Sequence, residues 1–249
     1  MTDDPYDDPY KDLAEYYDRM KFSSPDQDEF FRILFEKHQV KNVLDCACGT
    51  GHELILFNSY GCEVYGSDLS DSMLEQAQSN LAKANLQLPL KKIDFRYLDE
   101  HFKSQFDAVV CLSNSINEPL EDADTLSALQ SMKAVLKDDG ILIFDQGQTD
   151  ATMKNPPKYD PVVNDRDFSR LFTIEYSDKQ MEVHIFDFLH SDKKRDFKHS
   201  SFRIRIRLQD SWEKMLNQAG FKKAEYFGDW LFTPYDKNQS KSLIVVAHK

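Results

Sequence analysis

The stretch Asp45-Cys46-Ala47-Cys48-Gly49-Thr50-Gly51 decides the fold. It follows the apolar pair Val43-Leu44 and precedes a helix-like run from His52 to Tyr60. Strand, glycine turn and helix therefore succeed one another within a short span. The two glycines let the chain turn sharply and let a ligand approach the backbone, because neither carries a Cβ. The first N–H groups of the helix face the same space. A dinucleotide site expects a third glycine three residues after the second. That place is Leu54 here. A ligand without a pyrophosphate fits better than NAD. S-adenosylmethionine is such a ligand, since its carboxylate and amino group can lie near a glycine turn.

Outward from this turn the pattern repeats. Glu63 to Ser67 reads as a second strand, Ser70 to Ala84 as a helix, Lys91 to Asp94 as a short third strand and Phe106 to Leu112 as the fourth. A helix from Asp122 to Leu136 runs to a stop at Asp138-Asp139-Gly140, and Ile141 to Asp145 is the fifth strand. Alternating strands and helices imply a parallel sheet, because parallel neighbours need a crossover. Upstream, residues 10–40 read as helical, with Ser24-Pro25-Asp26-Gln27 as a helix start. Phe30, Phe31, Leu34 and Phe35 recur on one face.

The rhythm changes between Gly147 and Leu208. Met181 to Leu189 can form a strand, and Phe202 to Leu208 alternates with period two, as an antiparallel strand with one buried face does. The chain then returns to a helix (Ser211 to Ala219), a turn at Gly220, and strands at Lys223 to Phe227 and Leu243 to Ala247. The expected fold is α/β: a doubly wound, mostly parallel, Rossmann-like seven-stranded sheet with an antiparallel lid inserted after strand 5. Residues 1–146 and 209–249 form the cofactor-binding unit, 1–40 its helical cap, and 147–208 the lid.

Asp68 ends the second strand, about 20 residues after the glycines, where an acid can accept from both ribose hydroxyls. Its bland alternative is to start the next helix, but Ser70 can do that. Met73 can pack on an adenine face or simply fill the core. Asp94, with Phe95 beside it, can accept from an adenine amino group or be a solvated loop acid.

The formal charge is −12, from 31 basic and 43 acidic side chains, and repels nucleic acid and anionic lipid. No apolar run approaches the roughly 20 residues that cross a bilayer. The acidic opening, MTDDPYDDPYKDL, lacks the apolar core of a signal peptide. Cys46, Cys48, Cys62 and Cys111 sit in or beside strands and suggest a reducing cytoplasm, with no disulfide framework and no metal site. Among the seven histidines, His52, His101, His184, His190 and His199 are scattered without a nucleophile motif. Asn155-Pro156-Pro157-Lys158 reads as a loop, and Lys193-Lys194-Arg195 as a solvated turn. Arg203, Arg205 and Arg207 share a strand face that is solvated or paired with acids.

Asp45 to Gly51, Asp68 with Ser72-Met73-Leu74, Phe106 to Leu112, and Leu136 to Asp145 together resemble the ordered motifs of class I S-adenosylmethionine-dependent methyltransferases. Within that class the chain is most similar to the glycine/sarcosine N-methyltransferase group. Ala47 to Gly51, Cys111 to Ser115, Asp145, Gly228-Asp229 and Pro234-Tyr235 carry this likeness. Leu13 to Asp18 resembles the helix that closes over the cofactor, which implies that Tyr17, with Tyr10, contacts its methionine end. The resemblance implies cofactor contacts from Asp45, Ala47, Gly49, Thr50 and Gly51 at the first turn, and from Asp68, Leu69 and Met73 at the second. Asp94, Phe95, Leu112 and Asn114 complete the set. Glycine-methylating relatives place an arginine at the position of Gly147 and a histidine at that of Glu118. These departures suit a cationic or neutral acceptor.

Methyl transfer from a sulfonium needs alignment and exclusion of water rather than a catalytic triad. The expected catalytic groups are Tyr17, Asn114 and Glu118. Asn117, Glu118 and Gln146 form the expected substrate edge at the carboxyl ends of strands four and five. Glu118 can pair with a substrate ammonium, accept its proton, or merely start a loop. The expected activity is methylation of a small-molecule acceptor, with an amine ahead of O-methylation of a small carboxylate. A binding protein without catalysis and a dehydrogenase are the competing classes. No nucleic-acid or membrane partner is expected, and the chain is expected to be a monomer or homodimer.

Overall fold

The computed structural model describes residues 8, 10, 11, 13–20, 24–192 and 195–249. Helices α1 (Ala14–Tyr17) and α2 (Pro25–Lys37) lead into β1 (Asn42–Asp45), α3 (His52–Ser59), β2 (Glu63–Asp68) and α4 (Asp71–Lys83). There follow β3 (Leu90–Lys92), α5 (Leu98–His101), β4 (Phe106–Cys111), α6 (Asp122–Val135) and β5 (Leu136–Gln146). Strands β6 (Tyr159–Asn164), β7 (Phe168–Tyr176), β8 (Gln180–His190) and β9 (Arg195–Arg205) come next, then α7 (Gln209–Ala219), β10 (Lys223–Phe227) and β11 (Leu243–His248).

Two sheets result. The larger has the order β3-β2-β1-β4-β5-β11-β10, with β1 to β5 parallel and β11 antiparallel to both its neighbours. The smaller is a four-stranded antiparallel meander, β6-β7-β8-β9, lying between β5 and α7 in the chain. This is the expected class: a mostly parallel seven-stranded sheet with a separate antiparallel one.

Both faces of the large sheet are covered, which is why its central strands are apolar throughout. One face packs Phe106, Phe144 and Leu142 against Met132 of α6 and Trp212 of α7. The other packs Val43, Val110 and Ile143 with Phe30 and Phe31 of α2 and Phe57 of α3. Each such buried aromatic contributes about 1.5–3 kcal/mol relative to exposure. The small sheet buries one face against the N-terminal segment, where Leu13 packs with Val183, Ile185 and Ile204. Tyr16 stacks on Phe168 with ring centres 5.0 Å apart.

Several expected boundaries move. The third strand is Leu90–Lys92, because Asp94 accepts from the Arg96 N–H at 2.9 Å and opens a 3-10 turn, Phe95–Tyr97. The fifth strand begins at Leu136, where the backbone is already extended. Its pairing with β4 jumps from Phe106–Leu136 to Ala108–Ile141, so Lys137 to Gly140 form an irregularity. Strands β6 and β7 add to the two expected in the lid. The last lid strand is Arg195–Arg205, so Ile206 to Leu208 form the link to α7. In the N-terminal region the described helices are one turn (α1) and Pro25–Lys37, the latter capped by Ser24 through Gln27 N–H. Lys193, Lys194 and most of the acidic N-terminal leader lie outside the described residues.

Leu54 has a structural counterpart on the adjacent strand. Gly66 of β2 sits directly beneath it, and a Cβ at Gly66 would lie 2.7 Å from Leu54 Cδ1 and 2.8 Å from Leu90 Cδ2. The close helix–strand approach that a third glycine permits elsewhere is met here by a glycine on the strand. Gly66→Ala is expected to overpack this contact and cost about 1–3 kcal/mol in urea unfolding.

Candidate functional site: an acid-lined cavity at the strand ends

The carboxyl ends of β1 to β4 open into a cavity of about 420 Å3. It lies at the switch point where β1 has β2 on one side and β4 on the other, the usual ligand position in open α/β sheets. The turn after β1 supplies Asp45, Ala47, Gly49 and Thr50. Gly49 has φ +49°, with nothing within 4 Å of the place a Cβ would take, so the backbone is open to a ligand. Gly51 works differently. At φ +81° it begins α3, and a Cβ there would lie 3.2 Å from the Ala77 Cβ. It brings α3 against α4 and does not line the cavity.

Asp68 ends β2 and faces the same space. Its Oδ2 accepts from Gly49 N–H at 2.8 Å and its Oδ1 from Ser70 N–H at 2.9 Å. Burial raises its pKa, while the backbone N–H groups of Ser70, Gly49 and Leu69 oppose that rise. Ser70 caps α4 by accepting from Met73 N–H, so the helix start does not need Asp68. Leu69, Met73, Phe95 and Leu112 give the cavity apolar walls, and Met73 is 2% exposed. Asp94 lines it too but is no free acceptor: Arg96 holds it through Nε at 2.9 Å and Nη2 at 2.6 Å.

The N-terminal segment closes the cavity. Tyr10 and Tyr17 line it, and the segment is pinned by two acids. Asp8 accepts from Ser70 Oγ at 2.7 Å and Ser72 Oγ at 2.9 Å. Asp18 accepts from Thr50 Oγ1 at 2.5 Å and Asn80 Nδ2 at 2.7 Å. Tyr10 OH donates to Glu118 Oε1 at 2.6 Å. Glu118, just after β4, has its carboxyl pKa pushed up to about 7, first by burial and then by the charges of Asp68, Asp94 and Asp8; the Tyr10 hydrogen bond opposes this. The Tyr10 hydroxyl rises in turn, through burial and then the Glu118 charge.

Three expected site residues lie elsewhere. Asn117 and Gln146 are 1% and 0% exposed and belong to a buried network. Asn117 Nδ2 donates to Gln146 Oε1 at 2.9 Å, Trp212 Nε1 donates to the same oxygen at 2.8 Å, and Gln146 Nε2 donates to the carbonyls of Gln148 and Arg207. Gln146 thus joins β5 to α7 and has no amide group to offer a substrate. Asn114, at φ +67°, accepts from Gly147 N–H at 2.9 Å and ties the loop after β4 to the loop after β5. None of the three lines the cavity. Gly147 does not line it either.

Sequence reasoning missed other lining groups. Glu53 in the first turn of α3 and Glu121 and Asp124 at the start of α6 face the cavity, as does Arg96. Their signal was present: acids directly following the two strand-end turns. Arg203 pairs with Glu182 at 2.9 Å, and Arg207 with Asp122 at 3.1 Å. Arg207 is 2% exposed, not solvated. The four cysteines are buried and unpaired, and among the described residues no group of three or more His, Cys, Asp or Glu side chains could hold a metal ion.

A mostly parallel sheet with a glycine turn after β1 and a half-buried acid at the end of β2 agrees with the expected class I S-adenosylmethionine-dependent methyltransferase fold. Residues 43–140 match the family model for a methyltransferase domain. The chain is 28% identical to the glycine/sarcosine/dimethylglycine N-methyltransferase of Actinopolyspora halophila, over 97% of this chain and 41% of that protein. It is 29% identical to the glycine/sarcosine N-methyltransferase of Aphanothece halophytica, over 91% and 83% respectively. A solved S-adenosylmethionine-dependent methyltransferase from Clostridium acetobutylicum superposes with TM-score 0.81 at 18% identity, covering 96% of this chain and 98% of that one. The chain therefore spans less than half the length of the first of these relatives. Among the described residues no helix is long and apolar enough to cross a membrane.

The residues present fit S-adenosylmethionine. The cavity offers a backbone left open at Gly49, an enclosed carboxylate at Asp68 and apolar walls for a nucleoside. Among the described residues seven carboxylates line it against one guanidinium, which favours a sulfonium cation and repels a pyrophosphate.

Proposed function

We propose that the chain transfers a methyl group from S-adenosylmethionine to the nitrogen of a small amine. The observation that carries this reading is the Tyr10–Glu118 pair, enclosed in the acid-lined cavity. The relatives named as glycine/sarcosine N-methyltransferases support the amine class. Four buried, unpaired cysteines suit a cytoplasmic setting.

When bound, S-adenosylmethionine supplies an electrophilic methyl group on a positively charged sulfur. Asp68 would accept the ribose hydroxyls, and the Gly49–Thr50 turn would receive the amino-acid end. Tyr10 and Tyr17 close over that end and exclude water, which strengthens every electrostatic contact inside. The acceptor nitrogen must present a lone pair, yet small amines are mostly protonated at neutral pH. Glu118 has a pKa close to the working pH, as a general base should. One oxygen is oriented by Tyr10, and the other has no hydrogen-bond partner among the described residues. It takes the proton from the ammonium. The neutral nitrogen, held by these residues, would then be the nucleophile for the methyl group that S-adenosylmethionine supplies, with S-adenosylhomocysteine as the leaving group.

Release of S-adenosylhomocysteine by purified protein with a mixture of small amines tests this; no release from any amine would refute it. A second expectation concerns stability. A carboxyl whose folded pKa lies above its unfolded value stabilises at low pH, and that contribution is lost as pH rises from about 4.5 through about 7. Relative to Glu118→Gln, the wild type should lose up to about 3 kcal/mol between pH 5 and pH 8, since one unit is about 1.4 kcal/mol. Cavity water reduces this figure. Urea unfolding of both proteins at the two pH values checks it.

A further inference from the structure

The charges around the acceptor space point to a narrower substrate class, an inference that rests on the N-methyl transfer proposed above. Of the acids lining the cavity, Asp45, Asp68 and Asp94 belong to the strand-end turns that would hold the cofactor. Glu118, Glu121 and Asp124 line the same cavity along the stretch from the loop after β4 into the first turn of α6, with Asp124 nearest Arg96. Arg96, the single cation among the described lining residues, is already engaged: Asp94 binds it twice, and Asp124 lies 3.3 Å from its Nη1. Arg207 stands behind the same wall, donating to the Pro119 carbonyl and to Asp122, and does not line the cavity. The N-terminus of α6 offers no anion site, since Glu121, Asp122 and Asp124 already place negative charge there.

An acceptor carboxylate would therefore meet three carboxylates and no available guanidinium or ammonium among the described lining residues. It would lose the charge-assisted pairing that holds such a group and gain like-charge repulsion instead. An ammonium meets the opposite situation. We infer that the acceptor is a small cationic amine without a carboxylate, such as an amino alcohol or diamine, and that amino acids are poor substrates. The wall from Glu118 to Asp124 selects the positive end and rejects the zwitterion.

The test pairs acceptors of similar amine basicity: ethanolamine with glycine, and N-methylethanolamine with sarcosine. Release of S-adenosylhomocysteine is measured for each with the full chain. The expected result is a kcat/KM at least tenfold higher for the carboxylate-free member of each pair. Glu121→Gln, which leaves the base Glu118 in place, should narrow that ratio by removing one charge from the wall. Equal or better turnover of glycine or sarcosine would overturn the inference and leave N-methyl transfer standing. Absence of turnover with all four, in protein that binds S-adenosylhomocysteine, would remove both.

Discussion

Replacing Asp68 with alanine should weaken S-adenosylhomocysteine binding at least a hundredfold. The carboxylate is enclosed at the end of β2 and already organises the site, fixing Gly49 N–H on one side and Ser70 N–H on the other. In the proposed complex its oxygens also accept the two ribose hydroxyls. Hydrogen bonds to a charged partner contribute about 1.5–3 kcal/mol each, so losing two of them corresponds to about 3 kcal/mol or more. The alanine variant also frees the Gly49 N–H, which loosens the turn beneath the amino-acid end. Asp68→Asn keeps the shape and removes the charge, and should fall between wild type and alanine. Calorimetric titration of the three proteins measures the ratios; equal affinity in all three would exclude Asp68 from the site.

Replacing Asp187 with alanine should lower the unfolding free energy by about 3–5 kcal/mol. Asp187 and Arg170 face each other in register across β8 and β7, joined by two contacts of 2.6 Å, and both are fully buried. Removing the carboxylate leaves a guanidinium buried in the small sheet, where Nη1 already lacks a partner. The damage should reach the site. Arg170 lies over the Phe168 ring, and Phe168 stacks on Tyr16, whose neighbour Tyr17 lines the cavity. The double change Arg170→Met with Asp187→Leu should recover most of the loss, because apolar replacement removes both desolvation costs at once. Urea unfolding of single and double variants checks this, and a single variant as stable as wild type would contradict it.

The same ion pair shows why the lid was only half legible in the sequence. In Phe168–Tyr176 the buried face carries Arg170 where alternation expects an apolar residue, and its partner lies 17 positions away. Tyr159–Asn164 is an edge strand interrupted by Pro161, a residue that argues against a strand. Strands β1 and β4 and the glycine turn were legible because their buried centres, Val43-Leu44 and Ala108 to Cys111, are short apolar runs. Asp68 and Glu118 were candidates by their position after strand ends, and Tyr10 and Tyr17 only through the family resemblance; all four line the cavity. Gln146 occupies an equally suggestive place, yet Trp212, 66 residues later, takes its carbonyl oxygen. Asn114 is likewise consumed by Gly147 from the neighbouring loop. Such competition between a ligand and a distant side chain leaves no trace in local sequence.

Parallel calorimetric titrations of the purified protein with S-adenosylhomocysteine and with NAD test most directly which nucleoside the turn from Asp45 to Gly51 receives. One saturable site for S-adenosylhomocysteine, with no heat of binding for NAD, is the expected result. Binding of NAD in its place, or of neither compound, would contradict the account.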